Sequence, residues 1–148
     1  MVDLDVRVRN ATPEDSDFVY TVKKAALREY VEATWGWDEA FQREFHDRDF
    51  RPAATKVICV GGVDAGWIVV TYDADRIELN EIYLLPSYQR RGVGTKLILD
   101  IAADGQRTHR PVELQVLKVN VAAKQLYERL GFCVYDETET HLRLRLTA

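Results

Sequence analysis

Ile82-Tyr83-Leu84-Leu85-Pro86-Ser87-Tyr88-Gln89-Arg90-Arg91-Gly92-Val93-Gly94 carries the chain from an apolar strand, through a proline turn, into a helix starting near Arg91. The helix is legible from Gly94, Leu97, Ile98 and Ile101, which share one face at i, i+3, i+4 and i+7. Glycines at such a junction let backbone N–H groups turn inward without obstruction from Cβ. The helix start adds unpaired N–H groups and the positive end of its dipole, and Arg90 and Arg91 add full charges. Gln89 to Gly94 can therefore cradle a pyrophosphate. The third glycine of a dinucleotide fingerprint is missing, and a hairpin precedes the loop. The Gly-Lys-Ser/Thr ending of a nucleoside-triphosphate loop is missing too, so the expected ligand is a diphosphate of another kind. Taken by itself, the glycine pair also fits a plain strand-to-helix turn.

Upstream, Val6-Arg7-Val8-Arg9 alternates apolar and basic residues and reads as a first strand. Thr12-Pro13-Glu14-Asp15 then opens a helix, with Thr12 as its cap and Phe18, Val22, Ala25 and Ala26 as its apolar face. This helix gives way between Thr34 and Glu39, and Asp38 starts a second one carrying Ala40, Phe41 and Phe45. Three strands follow, Lys56 to Val60, Ala65 to Tyr72 and Arg76 to Leu85, separated by turns at Gly61-Gly62 and Asp73-Ala74-Asp75. Downstream of the loop helix, Val112 to Leu117 is a strand. Asn120 caps a helix with Ala123, Leu126, Tyr127 and Leu130 on one face, and Gly131 ends it in the left-handed position. Phe132 to Tyr135 and Leu142 to Leu146 close the chain as strands, giving the order β-α-α-β-β-β-α-β-α-β-β.

The 148 residues suit one domain over 1–148, and 47% hydrophobic with 30% charged residues is the balance of an ordinary globule. A formal charge of −4 offers no basic excess for nucleic acid or an anionic membrane, so neither is expected as a partner. Cys59 and Cys133 lie far apart in apolar runs and read as two buried free thiols of a reducing compartment. His46, His109 and His141 are scattered, with loop or surface positions expected for each, and no Cys/His spacing suggests a metal. Met1-Val2-Asp3-Leu4-Asp5 has no basic stretch leading into an apolar one, so no signal peptide is expected. No apolar run approaches the ~18 residues of a membrane span. A cytoplasmic location follows by default.

The segment Ile82 to Gly94 resembles the signature of the GNAT N-acetyltransferase superfamily, a strand, a proline turn and then Gln/Arg-x-x-Gly-x-Gly/Ala. Asn120-Val121-Ala122-Ala123-Lys124-Gln125-Leu126-Tyr127-Glu128-Arg129-Leu130-Gly131-Phe132 resembles the family's Asn-x-x-Ala-x-x-x-Tyr-x-x-x-Gly-Phe segment. The two motifs stand in the family's order and spacing, and the element order is the family's as well. The resemblance is strongest over residues 76–135, and the first ~50 residues match in layout only. It implies an α/β (α+β) fold with a mixed, mostly antiparallel sheet of about seven strands flanked by about four helices. It also implies acetyl-CoA as the acetyl donor, with no metal, lying where the strands ending near Leu85 and Leu117 splay apart. The backbone of Ile82, Tyr83 and Leu84 would bond the pantetheine amides. Gln89, Arg90, Arg91, Gly92, Val93, Gly94 and Thr95 would surround the pyrophosphate, and Asn120 and Lys124 would lie toward the donor's far side. A homodimer is a common arrangement in the family.

Such a reaction is direct attack of an amine on a thioester, and two proton problems accompany it. A lysine-like amine, with a pKa of about 10.4, is mostly protonated at neutral pH and must lose a proton before attack. The departing thiolate gains from a donor, and a tyrosine near pKa ~10 stays protonated for that task. Tyr127 matches the family's general-acid tyrosine, although it also belongs to its helix's apolar stripe. Glu78 matches the glutamate of histone acetyltransferases. Asn80-Glu81-Ile82-Tyr83 resembles the acidic pair of polyamine acetyltransferases. On a regular strand Glu78 and Glu81 face opposite sides, but the family's strand usually carries a bulge here. Gln115 stands where ribosomal-protein N-acetyltransferases place a glutamate, which argues against that subgroup. Tyr30, Trp35 and Trp37, beside Glu39 and Phe41, are candidates for binding the small-molecule or peptide amine. Packing between helices is an equal account of the two tryptophans, and Trp67 reads as core. A non-catalytic acyl-CoA-binding module on the same scaffold is the alternative, and thiol release with an amine panel separates the two.

Overall fold

The computed structural model describes residues 5–148, so the reading of Met1 to Leu4 lies outside the described residues. The strands are β1 (Val6–Asn10), β2 (Lys56–Val60), β3 (Val63–Tyr72), β4 (Ile77–Leu84), β5 (Val112–Leu117), β6 (Cys133–Glu137) and β7 (His141–Leu146). The helices are α1 (Ser16–Trp35), α2 (Glu39–Asp49), α3 (Val93–Arg107) and α4 (Val121–Arg129). The element order is the one the sequence predicts. The sheet order is β1-β2-β3-β4-β5-β7-β6, with β4 and β5 parallel and the pairs β1/β2, β2/β3, β5/β7 and β6/β7 antiparallel. Among the described residues no helix is long and apolar enough to cross a membrane.

The chain forms two compact units. The first comprises the described residues up to Val69 together with Glu81–Gly94. Its core joins Val19 and Val22 of α1 to Trp67 of β3, with Phe18, Phe50, Val69, Tyr83 and Leu85 packed around them. Trp67 is buried, and its indole N–H donates to the Val19 carbonyl at 3.0 Å, so its one polar group is satisfied. The second unit comprises Val70–Asn80 and Thr95–Ala148. There Ile77, Ile98, Ile101, Val112, Leu114, Val116, Tyr127, Phe132 and Leu144 are buried, each aliphatic one worth about 1.5–3 kcal/mol relative to exposure.

Paired register between β4 and β5 consists, among the described residues, of Ile77↔Val112 and Glu78↔Glu113. Leu79 and Asn80 continue β4 and Leu114 to Leu117 continue β5 past that point. On its other side β5 pairs with β7 along its whole length, from Val112↔Leu146 to Leu117↔His141.

Thr12 caps the helical segment as expected: the segment begins as a 3₁₀ turn over Pro13–Asp15 that runs into α1 at Ser16, and the Asp15 carboxylate turns back to accept from the Thr12 N–H at 2.8 Å. Arg9 holds that carboxylate at 2.9 Å and lowers its pKa to about 2. Two sequence expectations are corrected. Cys133 is exposed and Cys59 only half-buried. Cys133 opens β6, the last strand of the sheet, all of whose residues are exposed. His46 is buried rather than at the surface, on the inward face of α2. There its ring lies 5.4 Å from those of Tyr20 and Phe50.

Candidate active site

At the end of β4 the chain makes the predicted proline turn, a 3₁₀ turn over Pro86–Tyr88. Gln89 folds back and donates from its side-chain amide to the Leu84 carbonyl at 2.9 Å. Arg91 donates to the Ser87 carbonyl at 3.3 Å, and its guanidinium lies 5.4 Å from the Tyr88 ring. Two residues then take the left-handed conformation, Gly92 at φ 84° and, less expectedly for a residue with a side chain, Arg90 at φ 60°. Buried Val93 anchors the start of α3. The first N–H groups of that helix have no partner within it. A left-handed turn running into an open helix start is the arrangement that collects backbone N–H groups around an anion, so these residues fit a pyrophosphate.

Ile82, Tyr83 and Leu84 are each half-buried at the end of β4. A Cβ on Gly66 of β3 would lie 2.1 Å from the Tyr83 carbonyl oxygen, so only glycine permits this approach. The Leu85 N–H donates to Ala65 at 2.8 Å and ties the same stretch to β3.

Glu81 lines a cavity of about 180 Å³ within the first unit. Burial raises the pKa of its carboxyl. Lys23 opposes that shift, Asp49 adds to it, and a hydrogen bond from Tyr83 opposes it again. Buried His46 lines the same cavity, its Nε2 3.0 Å from the Ser16 hydroxyl, and burial lowers its pKa. Sequence reasoning missed His46, because the Asp38-capped helix showed Phe41 and Phe45 as its apolar signal. Those two phenylalanines are in fact exposed.

Glu78 belongs to the second unit and has different company. Its carboxylate lies 3.6 Å from the Arg143 guanidinium, which also donates to the Tyr135 hydroxyl at 2.8 Å and to Gln115 at 3.4 Å. Next to it, buried Glu113 accepts from Arg145 at 2.8 Å and Arg76 at 3.3 Å. Tyr127 is buried on α4, its ring edge-on to Phe132 at 5.7 Å, and desolvation alone raises its pKa to about 12. Asn120 caps α4 as expected by accepting from the Ala123 N–H at 3.2 Å. Lys124 lies 3.6 Å from Glu128, and Thr95 is half-buried in the first turn of α3.

None of the three candidate acceptor residues lines the cavity beside Glu81. Trp35 is 60% exposed at the end of α1. Trp37 donates to Glu39 at 2.6 Å with Arg28 over its ring, and Tyr30 is half-buried on α1. Among the described residues no group of three or more His, Cys, Asp or Glu side chains is arranged to hold a metal ion.

The profile of the acetyltransferase (GNAT) family matches residues 20–132. An uncharacterized N-acetyltransferase of Methanocaldococcus jannaschii is 39% identical over 82 residues, which are 55% of this chain and 36% of that protein. The chain thus spans about a third of the length of the curated relative it matches. The PaiA N-acetyltransferase of Thermoplasma acidophilum, solved in complex with coenzyme A, superposes with a TM-score of 0.77 at 16% identity, over 97% of this chain and 99% of that one. An acetyltransferase from Thermus thermophilus gives 0.73 at 18% identity over 97% of both chains. A ribosomal-protein alanine N-acetyltransferase from Escherichia coli gives 0.67 at 20%, over 96% of this chain and 93% of that one. At these identities the superpositions speak for the fold, the seven-stranded sheet with four helices. The family profile covers well over half of the sequence, and this chain belongs to the acetyltransferase (GNAT) family.

Proposed function

We propose that the chain transfers the acetyl group of acetyl-CoA directly to a primary amine of a small molecule or peptide, within a ternary complex. The observation that carries this reading is the loop in which left-handed Arg90 and Gly92 lead into the open N-terminus of α3. The N–H groups from Arg91 to Thr95 hold the pyrophosphate, and the backbone of Ile82 to Leu84 bonds the pantetheine amides. Asn120 and Lys124 lie toward the donor's far side. A structural relative solved with coenzyme A supports the same ligand here.

Glu81 serves as the base. A carboxylate whose pKa is raised toward neutrality takes a proton from an ammonium more readily than an ordinary one. Glu78 suits the task less, because its carboxylate is already engaged by the Arg143 guanidinium at 3.6 Å. The freed amine attacks the carbonyl carbon, the C–N bond forms, the C–S bond breaks with its electron pair leaving on sulfur, and the proton that the new amide nitrogen sheds passes through solvent to that sulfur. Tyr127 donates to that sulfur. An ordinary thiol, near pKa ~8.5, is a stronger acid than a phenol held at about 12. Tyr127 therefore stabilises the thiolate by a hydrogen bond more than by giving up its proton outright.

Thermal melting with acetyl-CoA tests the reading. Saturating acetyl-CoA is expected to raise the Tm, as any ligand of the native state does. Gly92→Glu, folded but with a side chain and a negative charge in the loop, is expected to lose the shift. No shift and no calorimetric signal for the unaltered protein would sink the proposal.

A further inference from the structure

The cavity beside Glu81 has a definite shape and polarity. Its buried surfaces come from Val19, Trp67, His46 and Thr55, whose hydroxyl is already spent on the Arg51 carbonyl, with half-buried Phe50 beside them, and Glu81 is the carboxylate in its part-buried wall. Lys23, Asp49 and Arg51 also line it, the last two exposed, so the charges at its mouth are two cations and one anion. A cavity of about 150 Å³ lined by apolar side chains accommodates benzene. At about 180 Å³ this one takes a group of similar bulk, roughly six to eight heavy atoms.

We infer that this cavity receives the body of the acceptor, and that the acceptor is a primary monoamine with a compact apolar body rather than a polyamine. The inference rests on the acetyltransferase reading and adds the substrate class. Aromatic and aliphatic walls reward an apolar body. Glu81 supplies one carboxylate for one ammonium. Any further ammonium on a longer acceptor stays at the mouth, where Lys23 and Arg51 repel it and only Asp49 attracts it. His46, uncharged because burial disfavours its cation, does not compete for Glu81.

The test uses the full chain with phenethylamine, hexylamine and spermidine as probes, by calorimetry without acetyl-CoA and by thiol release with it. Phenethylamine and hexylamine are expected to exceed spermidine in kcat/KM by at least about tenfold. Ala54 is exposed and lines the cavity, so Ala54→Phe fills it with little risk to the fold. Half-buried Val69 lines it from β3, and Val69→Phe fills it from another side. At least one of the two is expected to lower phenethylamine affinity and kcat/KM by about tenfold or more, with acetyl-CoA affinity unchanged. Lys23→Met is expected to narrow the gap between hexylamine and spermidine. Equal or better turnover of spermidine by the unaltered protein overturns the inference, as does unchanged phenethylamine binding in both filled variants. Failure of acetyl-CoA itself to bind overturns the underlying reading, and is told apart by the calorimetry.

Discussion

The two carboxylates of β4 stand three residues apart and live in different chemical surroundings. Glu78, in the second unit, meets a guanidinium that also holds Tyr135 and Gln115. Glu81, in the first unit, borders a cavity with a buried tryptophan and a buried neutral histidine, and its charged form is disfavoured. One is paired with a guanidinium; the other sits where burial disfavours its charge despite the nearby Lys23. The same residue type on one strand is thus held by an ion pair at one end and set in a cavity wall at the other. Neighbours contributed from distant sequence make that difference.

The largest expected effect separates the two directly. Glu81→Gln should lower kcat by about 10²- to 10³-fold and remove the acidic limb of the pH–rate profile, because the side chain can no longer accept a proton. Glu78→Gln should leave kcat within about threefold, since the Glu78 carboxylate is held by Arg143 and does not line the cavity beside Glu81. Steady-state rates across pH check both, and a reversed ranking would break the contrast.

Tyr127→Phe comes next, with a fall of about 10²-fold in turnover and little change in Tm or acetyl-CoA affinity, because the ring keeps its contact with Phe132. Single-turnover rates should be compared as well, since slow product release can hide a chemical effect. Normal turnover would return Tyr127 to a packing role.

The smallest effect is on stability. The folded pKa of Glu81 lies above its ordinary value of 4.5, so the native state holds its proton more tightly than the unfolded chain. Ionised Glu81 therefore weakens the fold, and its penalty grows as pH rises from about 4.5 through the folded value. Lys23, Asp49, His46 and Tyr83 share its surroundings, and replacing Glu81 alone isolates its part. Glu81→Gln should melt slightly higher than the unaltered protein at pH 7, with the difference closing toward pH 4. Melting curves at several pH values check this, and a lower Tm at pH 7 would mean that the ionised carboxylate is stabilised by its neighbours.

Much of the fold was legible because its signals are local. The Lys56–Val60 and Val112–Leu117 strands appear with the bounds read from the sequence, and Gly131 ends α4 at φ 100° as expected. The loop was legible for the same reason, as strand, proline turn, glycines and helix follow one another directly. What escaped depends on partners far away in sequence. His46 is buried by Ser16, Tyr20 and Phe50 around it, and no periodicity within α2 announces that. Cys133 sits in an apolar run, yet the order of strands puts it on the outermost one. The contrast between Glu78 and Glu81 needed Arg143 of β7 and Trp67 of β3, which spacing along β4 cannot supply.

Gly66 carries a consequence for how this sequence can vary. It is far in sequence from every residue assigned a chemical role, and its own polar groups do nothing in the reaction. Yet even alanine there would drive a methyl group to within 2.1 Å of the Tyr83 carbonyl oxygen and force the end of β4 away. In a saturation library, position 66 should therefore tolerate substitution as poorly as the reacting groups themselves. The cause would be neither lost chemistry nor a lost contact, but the absence of room for any side chain beside the end of β4.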